Sequence, residues 1–281
     1  MKAIIFDVET TGFGKEDRDA FDQPYTEFPE IIEAAWLELG EDLRAHCIGE
    51  FCQRYKPENP IQFGAMATHH ILPSDLEGMP PSSIFSLPEV EYLIGHNIDF
   101  DADACGYTGK RICTLALARS AWPDLDSHTQ SALLYALSNG PEMLEMTRDA
   151  LKSAHSALAD VKFCHVILLA YLATRPDITT YEDLYAASEL ARIPEFMTFG
   201  KYKGQSFDQI RRENPSYIKY ALENFNASNQ RYIRIEFEKQ ARIYTEEIMA
   251  DSAYRSSNIS WDMKKTIQLV KDLRFILTKT S

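Results

Sequence analysis

The stretch Ala3-Ile4-Ile5-Phe6-Asp7-Val8-Glu9-Thr10 constrains this chain more than any other. Its apolar, β-branched start reads as a buried strand. Two carboxylates, Asp7 and Glu9, stand two positions apart at its end. Side chains at i and i+2 of a strand share a face, so both acids project to one side. Like charges so placed repel, and are costly to desolvate, unless a cation lies between them. Either the strand emerges into solvent there, or the pair belongs to a metal site. The rest of the chain has to decide.

A length of 281 residues allows one large domain or two modest ones. With 45% hydrophobic and 25% charged residues, the composition is that of a globular protein with ample core material. No run reads as long and apolar enough to span a bilayer. Asp7 and Glu9 interrupt the first apolar run, unlike a signal peptide, so the expected location is cytoplasmic, with no membrane partner. The five cysteines are scattered without a C-x-x-C pair. Reduced thiols are expected, rather than a zinc knuckle or a disulfide framework.

The net charge of −13 argues against a nucleic-acid partner until its distribution is considered. From Ala191 onward there are 16 Lys+Arg against 11 Asp+Glu, a net of +5; the first 190 residues carry −18. An acidic body joined to a basic section implies two parts with different tasks. Strand and helix patterns alternate through about residue 175, which indicates an α/β domain. EIIEAAWLEL reads as a second strand, although its composition also permits a helix. FCQRYKP is a candidate strand, IQFGAMATHHI is helical in period, and Tyr92 to Gly95 reads as a strand followed by a helix from Asp99. HTQSALLYALSNG reads as a helix ending at Gly140, and a further helix runs from Ala157. The polar, Pro-bracketed stretch 176–190 reads as a linker with one candidate helix. Residues 191–281 then form a small, mainly helical module, with amphipathic helices near Asn229–Ala250 and Trp261–Thr278.

Three segments carry acids or histidine at suggestive spacings: DVETTG, GHNIDFDAD and HSALAD. Each has a plain explanation alone, since an Asp near a helix start is commonly a cap or a dipole partner. Together they supply four carboxylates and one imidazole at element ends. Hard oxygen ligands of this kind suit Mg²⁺ or Mn²⁺, and paired ions clamp phosphodiesters for in-line attack.

With these segments in this order, the chain resembles the DEDDh 3′→5′ exonucleases of the ribonuclease-H-like (DnaQ-like) superfamily. FDVETTG, HNIDFD and HSALAD match the three family motifs. PIQFGAMATHHILP and ICTLALARSAWP resemble segments of the exodeoxyribonuclease X branch, and FGKYKGQSFDQI…PSYIKYAL resembles its carboxy-terminal module. The resemblance implies a ribonuclease-H-like mixed sheet flanked by helices over residues 1–175. It implies two Mg²⁺ ions, replaceable by Mn²⁺, held by Asp7, Glu9, Asp101 and Asp160, with His155 as general base. It further implies Thr10 at the terminal 3′-hydroxyl, Phe13 wedged against the terminal base, and Thr68, His69 and Phe100 lining the terminal nucleotide. Asp99 and Asp103 fall outside the matching position of the second motif.

The expected activity is release of 5′-mononucleotides from single-stranded or duplex DNA 3′ ends, in repair or degradation. An RNA-trimming enzyme of the same chemistry and a non-catalytic nucleic-acid-binding scaffold stand as alternatives. In the module, Lys201 and Lys203 beside two glycines suit phosphate contact, with Arg211 and Arg212 extending the charge. A homo-oligomer or protein contact through the module is the competing reading.

Overall fold

The computed structural model describes residues 2–12, 29–225, 230–250 and 261–279. Phe13 and the loop that follows it lie outside the described residues. The chain divides into two compact units, with the boundary between Ala191 and Arg192.

The first unit is built on five strands: β1 (Ala3–Thr10), β2 (Ile31–Leu39), β3 (Gly49–Arg54), β4 (Tyr92–Gly95) and β5 (Lys110–Cys113). Their order across the sheet is β3-β2-β1-β4-β5. β2 runs antiparallel to both β1 and β3, whereas β4 is parallel to β1 and β5. This is the expected mixed sheet flanked by helices. The ambiguous IIEAAWLEL is a strand because it lies second from the edge, paired on both sides, with every residue but one buried.

Around the sheet, in chain order, lie α1 (Phe63–His69), α2 (Asp99–Ala104), α3 (Thr114–Ala121), α4 (Gln130–Leu137), α5 (Pro141–Ala150), α6 (Ala157–Thr174) and α7 (Tyr181–Ala191). Strand parity places the core. Ala3 and Ile5 of β1 pack in one apolar cluster with Val161, Cys164 and Leu168 of α6. Ile4, Phe6 and Val8 face a second cluster with Ile98 and Ala102. Asp7 and Glu9 continue the row of Ala3 and Ile5, so the fold aims them at α6.

Three sequence expectations are corrected. The stretch 176–190 is not a linker: it carries most of α7, whose Tyr181 and Leu184 are buried in the first unit's core. Ser188 of α7 accepts the Cys113 backbone N–H at 2.8 Å, which ties this helix to the edge strand β5. Gly140 does not end the helix before it, because α4 stops at Leu137; Gly140, at φ 86°, instead precedes α5, which begins with Pro141. Finally, α6, with 18 residues, is by length and composition apolar enough to cross a membrane. Its apolar surface is explained by packing against β1, β2, α3 and α4. All five cysteines are unpaired.

The second unit contains α8 (Phe207–Glu213), α9 (Ser216–Asn224), α10 (Arg231–Ala250) and α11 (Trp261–Lys279). Phe207, Ile210, Leu222, Phe237 and Leu273 share its own core, which confirms a mainly helical module. It is a separate fold with separate means of support.

Candidate active site

Asp7 and Glu9 emerge where β1 leaves the apolar core, one pleat apart on the α6 side. Asp160 lies in the first turn of α6, where the helix dipole favours a carboxylate. Oxygens of Asp7, Glu9 and Asp160 lie within 4.8 Å of one another. Asp101, buried in the first turn of α2, accepts the Val8 backbone N–H at 3.2 Å and is thereby fixed beside β1. The approach of β4 to β1 depends on Gly95, where a Cβ would meet the Phe6 carbonyl oxygen at 3.0 Å and Ile98 at 2.5 Å. Asp99 and Asp103 are turned elsewhere, both pairing with Arg111 at 3.7 and 2.7 Å.

The electrostatics follow from burial. Desolvation, then the charges of Asp101 and Asp160, hold the Asp7 carboxyl well above its ordinary range. Desolvation and Asp160 push Glu9 up to about 8. Burial raises Asp101 to about 7, against the opposing Val8 N–H. Asp160 rises to about 6 through burial, opposed by His155. Each acid is thus short of positive charge in the protein alone. Carboxylate oxygens gathered in this way, with pKa values raised first by burial and then by mutual repulsion, suit a hard divalent cation.

His155 immediately precedes Ser156 and the start of α6, in a left-handed backbone conformation (φ 65°), and is exposed. With Asp160 it borders a cavity of about 580 Å³, lined also by His96, Arg119, His128 and Gln130. His96 is held between Thr114 Oγ1 (3.0 Å) and the His128 carbonyl (2.8 Å), and burial pushes its imidazole down to about 4. It is therefore neutral, a packing histidine on the cavity wall.

The residues expected at the terminal nucleotide divide. Thr10 is buried and its hydroxyl donates to the Gly12 carbonyl at 2.7 Å. His69 is buried, its Nδ1 accepting the Ile71 N–H at 2.9 Å, and it sits against the Thr10 backbone. Thr68 is exposed and its hydroxyl donates back to Gly64 at 3.1 Å, within its own helix. Phe100 is partly buried on α2, next to Asp101. The expectation for Phe13 lies outside the described residues.

Sequence reading missed Glu33. It is directly opposite Glu9 in the β1–β2 register and is buried. Its carboxylate accepts from Arg54 Nε at 2.7 Å and from the Ala157 backbone N–H at 2.9 Å. Its charge raises the pKa values of Asp7, Glu9 and Asp160. The only signal in the sequence was a glutamate among the apolar residues that open the strand, and a second one, Glu38, stands near its end.

In the module, Gly200 and Gly204 take positive φ (68° and 83°) around a single 3-10 turn that presents Lys201 and Lys203. Lys201 Nζ lies 4.6 Å from the Tyr202 ring centroid. Arg211 is corrected as a phosphate-binding candidate: it is buried, bonded to Gln240 Oε1 at 3.0 Å and paired with Asp208 and Glu247. Arg212 also pairs with Asp208, though it remains largely exposed.

Residues 197–226 match the family described as exodeoxyribonuclease X-like C-terminal. Over 175 residues the chain is 26% identical to exodeoxyribonuclease 10 of Escherichia coli K12, covering 61% of this chain and 76% of that protein. Among solved structures it is similar to exonuclease X in complex with 5′ overhanging duplex DNA (22% identity, TM-score 0.49). That similarity covers 66% of this chain and 99% of the other. The nuclease domain of 3′hExo, a DEDDh family member, bound to rAMP is 15% identical with TM-score 0.42, covering 63% of this chain and 94% of that one.

The raised carboxylates carry a consequence for stability. Folding keeps protons on them that the unfolded chain releases near pH 4. Their stabilising contribution is therefore complete below about pH 4 and is lost as pH rises through their folded values of about 6 to 8. EDTA-treated protein should melt at a lower temperature at pH 8 than at pH 5.5, and Mg²⁺ or Mn²⁺ should raise the midpoint more at pH 8. Thermal scans showing no such pH trend and no metal response would contradict the reading of these acids.

Proposed function

We propose that this protein, an exonuclease by its resemblances, removes 5′-mononucleotides from DNA 3′ ends by divalent-metal-dependent phosphodiester hydrolysis. The observation that carries the reading is the convergence of Asp7, Glu9 and Asp160, with Asp101 fixed beside β1, next to a cavity that Asp160 and His155 line. Two Mg²⁺ ions held by these four carboxylates would supply Lewis acidity at the scissile phosphate and neutralise charge on the departing 3′-oxygen. The chain's own residues do the rest. His155, exposed on the cavity, takes the proton from the attacking water in its neutral form. The main chain at Thr10, with His69 packed against it, meets the terminal 3′-hydroxyl. Phe100 meets the terminal nucleotide from α2.

DNA is favoured over RNA by the exodeoxyribonuclease resemblances of both units. A binding scaffold is disfavoured on physical grounds. Gathering four like-charged groups in a partly buried site is costly, and a scaffold has no use for that cost. In the module, Lys201 and Lys203 are exposed, whereas Arg211 is buried and paired with Asp208 and Glu247, so the two lysines are the residues we assign to backbone phosphates. A role in DNA repair or degradation, in the cytoplasm, belongs to this proposal.

Labelled DNA and RNA oligomers incubated with Mg²⁺ test the reading. Mononucleotides should appear from DNA 3′ ends, stop with EDTA and be absent with Asp7→Ala. His155→Ala should slow release by about 10²–10⁴. Faster release from RNA would transfer the assignment to RNA trimming, and undiminished turnover by Asp7→Ala would overturn it.

The module is tested by binding to long DNA in an Asp7→Ala background. Each phosphate contact contributes about 0.7–0.9 to the slope of log affinity against log salt. Replacing both Lys201 and Lys203 by Ala should lower that slope by about 1.4–1.8. An unchanged slope would assign the module to protein contacts instead.

A further inference from the structure

Glu33 presents a physical puzzle. A fifth carboxylate lies beside four that already repel one another, and its side chain is only 4% exposed. Like charges directly opposite on adjacent strands destabilise a sheet, and Glu33 is opposite Glu9. Such an arrangement persists only if Glu33 is compensated and employed. Compensation comes from Arg54, which is opposite Glu33 in the β2–β3 register and bonds its Oε1 at 2.7 Å. Glu9, Glu33 and Arg54 thus form one row across three strands.

The second oxygen shows the employment. Helix α6 has no side-chain cap at its N-cap residue, so Ser156 offers its first N–H groups no side-chain acceptor. Glu33 Oε2, 124 residues away in sequence, accepts the Ala157 N–H at 2.9 Å. A carboxylate at a helix start is also favoured by the dipole. Two residues before Ala157, His155 holds a left-handed backbone that is unfavourable for a side chain with a Cβ. Such a conformation survives where neighbouring contacts determine it, and the Glu33 bond anchors the chain just beyond. Three residues after Ala157 comes Asp160.

We propose that Glu33 is a positioning residue: by holding the Ala157 N–H it fixes the start of α6, and so sets His155 and Asp160 against Asp7 and Glu9. It acts through the backbone rather than as a further ligand. Its two oxygens are taken by protein donors, and it is not among the acids whose oxygens converge within 4.8 Å. The catalytic consequence rests on the exonuclease reading; the structural claim does not.

The test uses the full chain and two variants. Glu33→Gln removes the charge at constant size. Glu33→Asp keeps the charge for Arg54 but is one methylene too short to hold Ala157 as well, and it serves if the first variant fails to fold. In metal-free protein, amide exchange at Ala157 should accelerate about tenfold or more in each folded variant, while amides of residues 164–172 stay protected. Mononucleotide release with Mg²⁺ should lose about 10–10² in kcat, with KM within about threefold of wild type. Glu33→Asp exchanging and turning over like wild type would overturn the proposal. So would protection lost equally along all of α6, which is the mark of general destabilisation. If wild type releases no nucleotide from any polymer, the exonuclease reading falls, and exchange at Ala157 alone decides the role of Glu33.

Discussion

Four carboxylates drawn from β1, α2 and α6 share a region too dry to screen them from one another. Two unit charges about 4 Å apart repel by about 4 kcal/mol at an effective dielectric of 20. A fold that gathers four must hold them by other means. The means here are an apolar sheet core beneath, the Val8 N–H bound to Asp101, and the packing of α6 on β1 and β2. The same packing accounts for the apolar face of α6, which buries Val161, Cys164, Leu168 and Leu172 while delivering Asp160 and following His155. The repulsion is what makes the site receptive to divalent cations, and the surrounding structure keeps it from relaxing.

Much of this was legible in the sequence because it depends on local periodicity. The parity of β1 alone placed Asp7 and Glu9 on one face, and the fold shows which face that is. The segments around Asp101 and His155–Asp160 were legible as acids at element ends. What was illegible depends on partners distant in sequence. Glu33 looks like an interruption in IIEAAWLEL until Arg54 and Ala157 are brought to its two oxygens. Helix α7 reads as a polar connector because only a narrow set of its side chains, Tyr181, Leu184 and Ser188, is buried. Arg211 looks like a phosphate ligand until Asp208, Gln240 and Glu247 surround it.

That last correction alters the view of the basic section. A net of +5 describes composition, yet many of its cations are committed internally: Arg234 to the carbonyls of Leu222 and Phe225, Lys239 to Glu236, Lys219 to Asp272. Formal charge overstates what a partner can meet. The lysines of the 200–204 turn, which lies between two positive-φ glycines, are exposed, with Lys201 resting on the Tyr202 ring. The acidic first unit can approach a polyanion only where cations intervene.

The central claim is that Asp7, Glu9, Asp101 and Asp160 together form a divalent-cation site. It is tested most directly by titrating EDTA-treated protein with Mn²⁺ and counting free ions by electron paramagnetic resonance. The account predicts two ions bound per chain in the wild type, with binding lost or sharply weakened in Asp7→Ala. No saturable binding, or equal binding by wild type and Asp7→Ala, would contradict it.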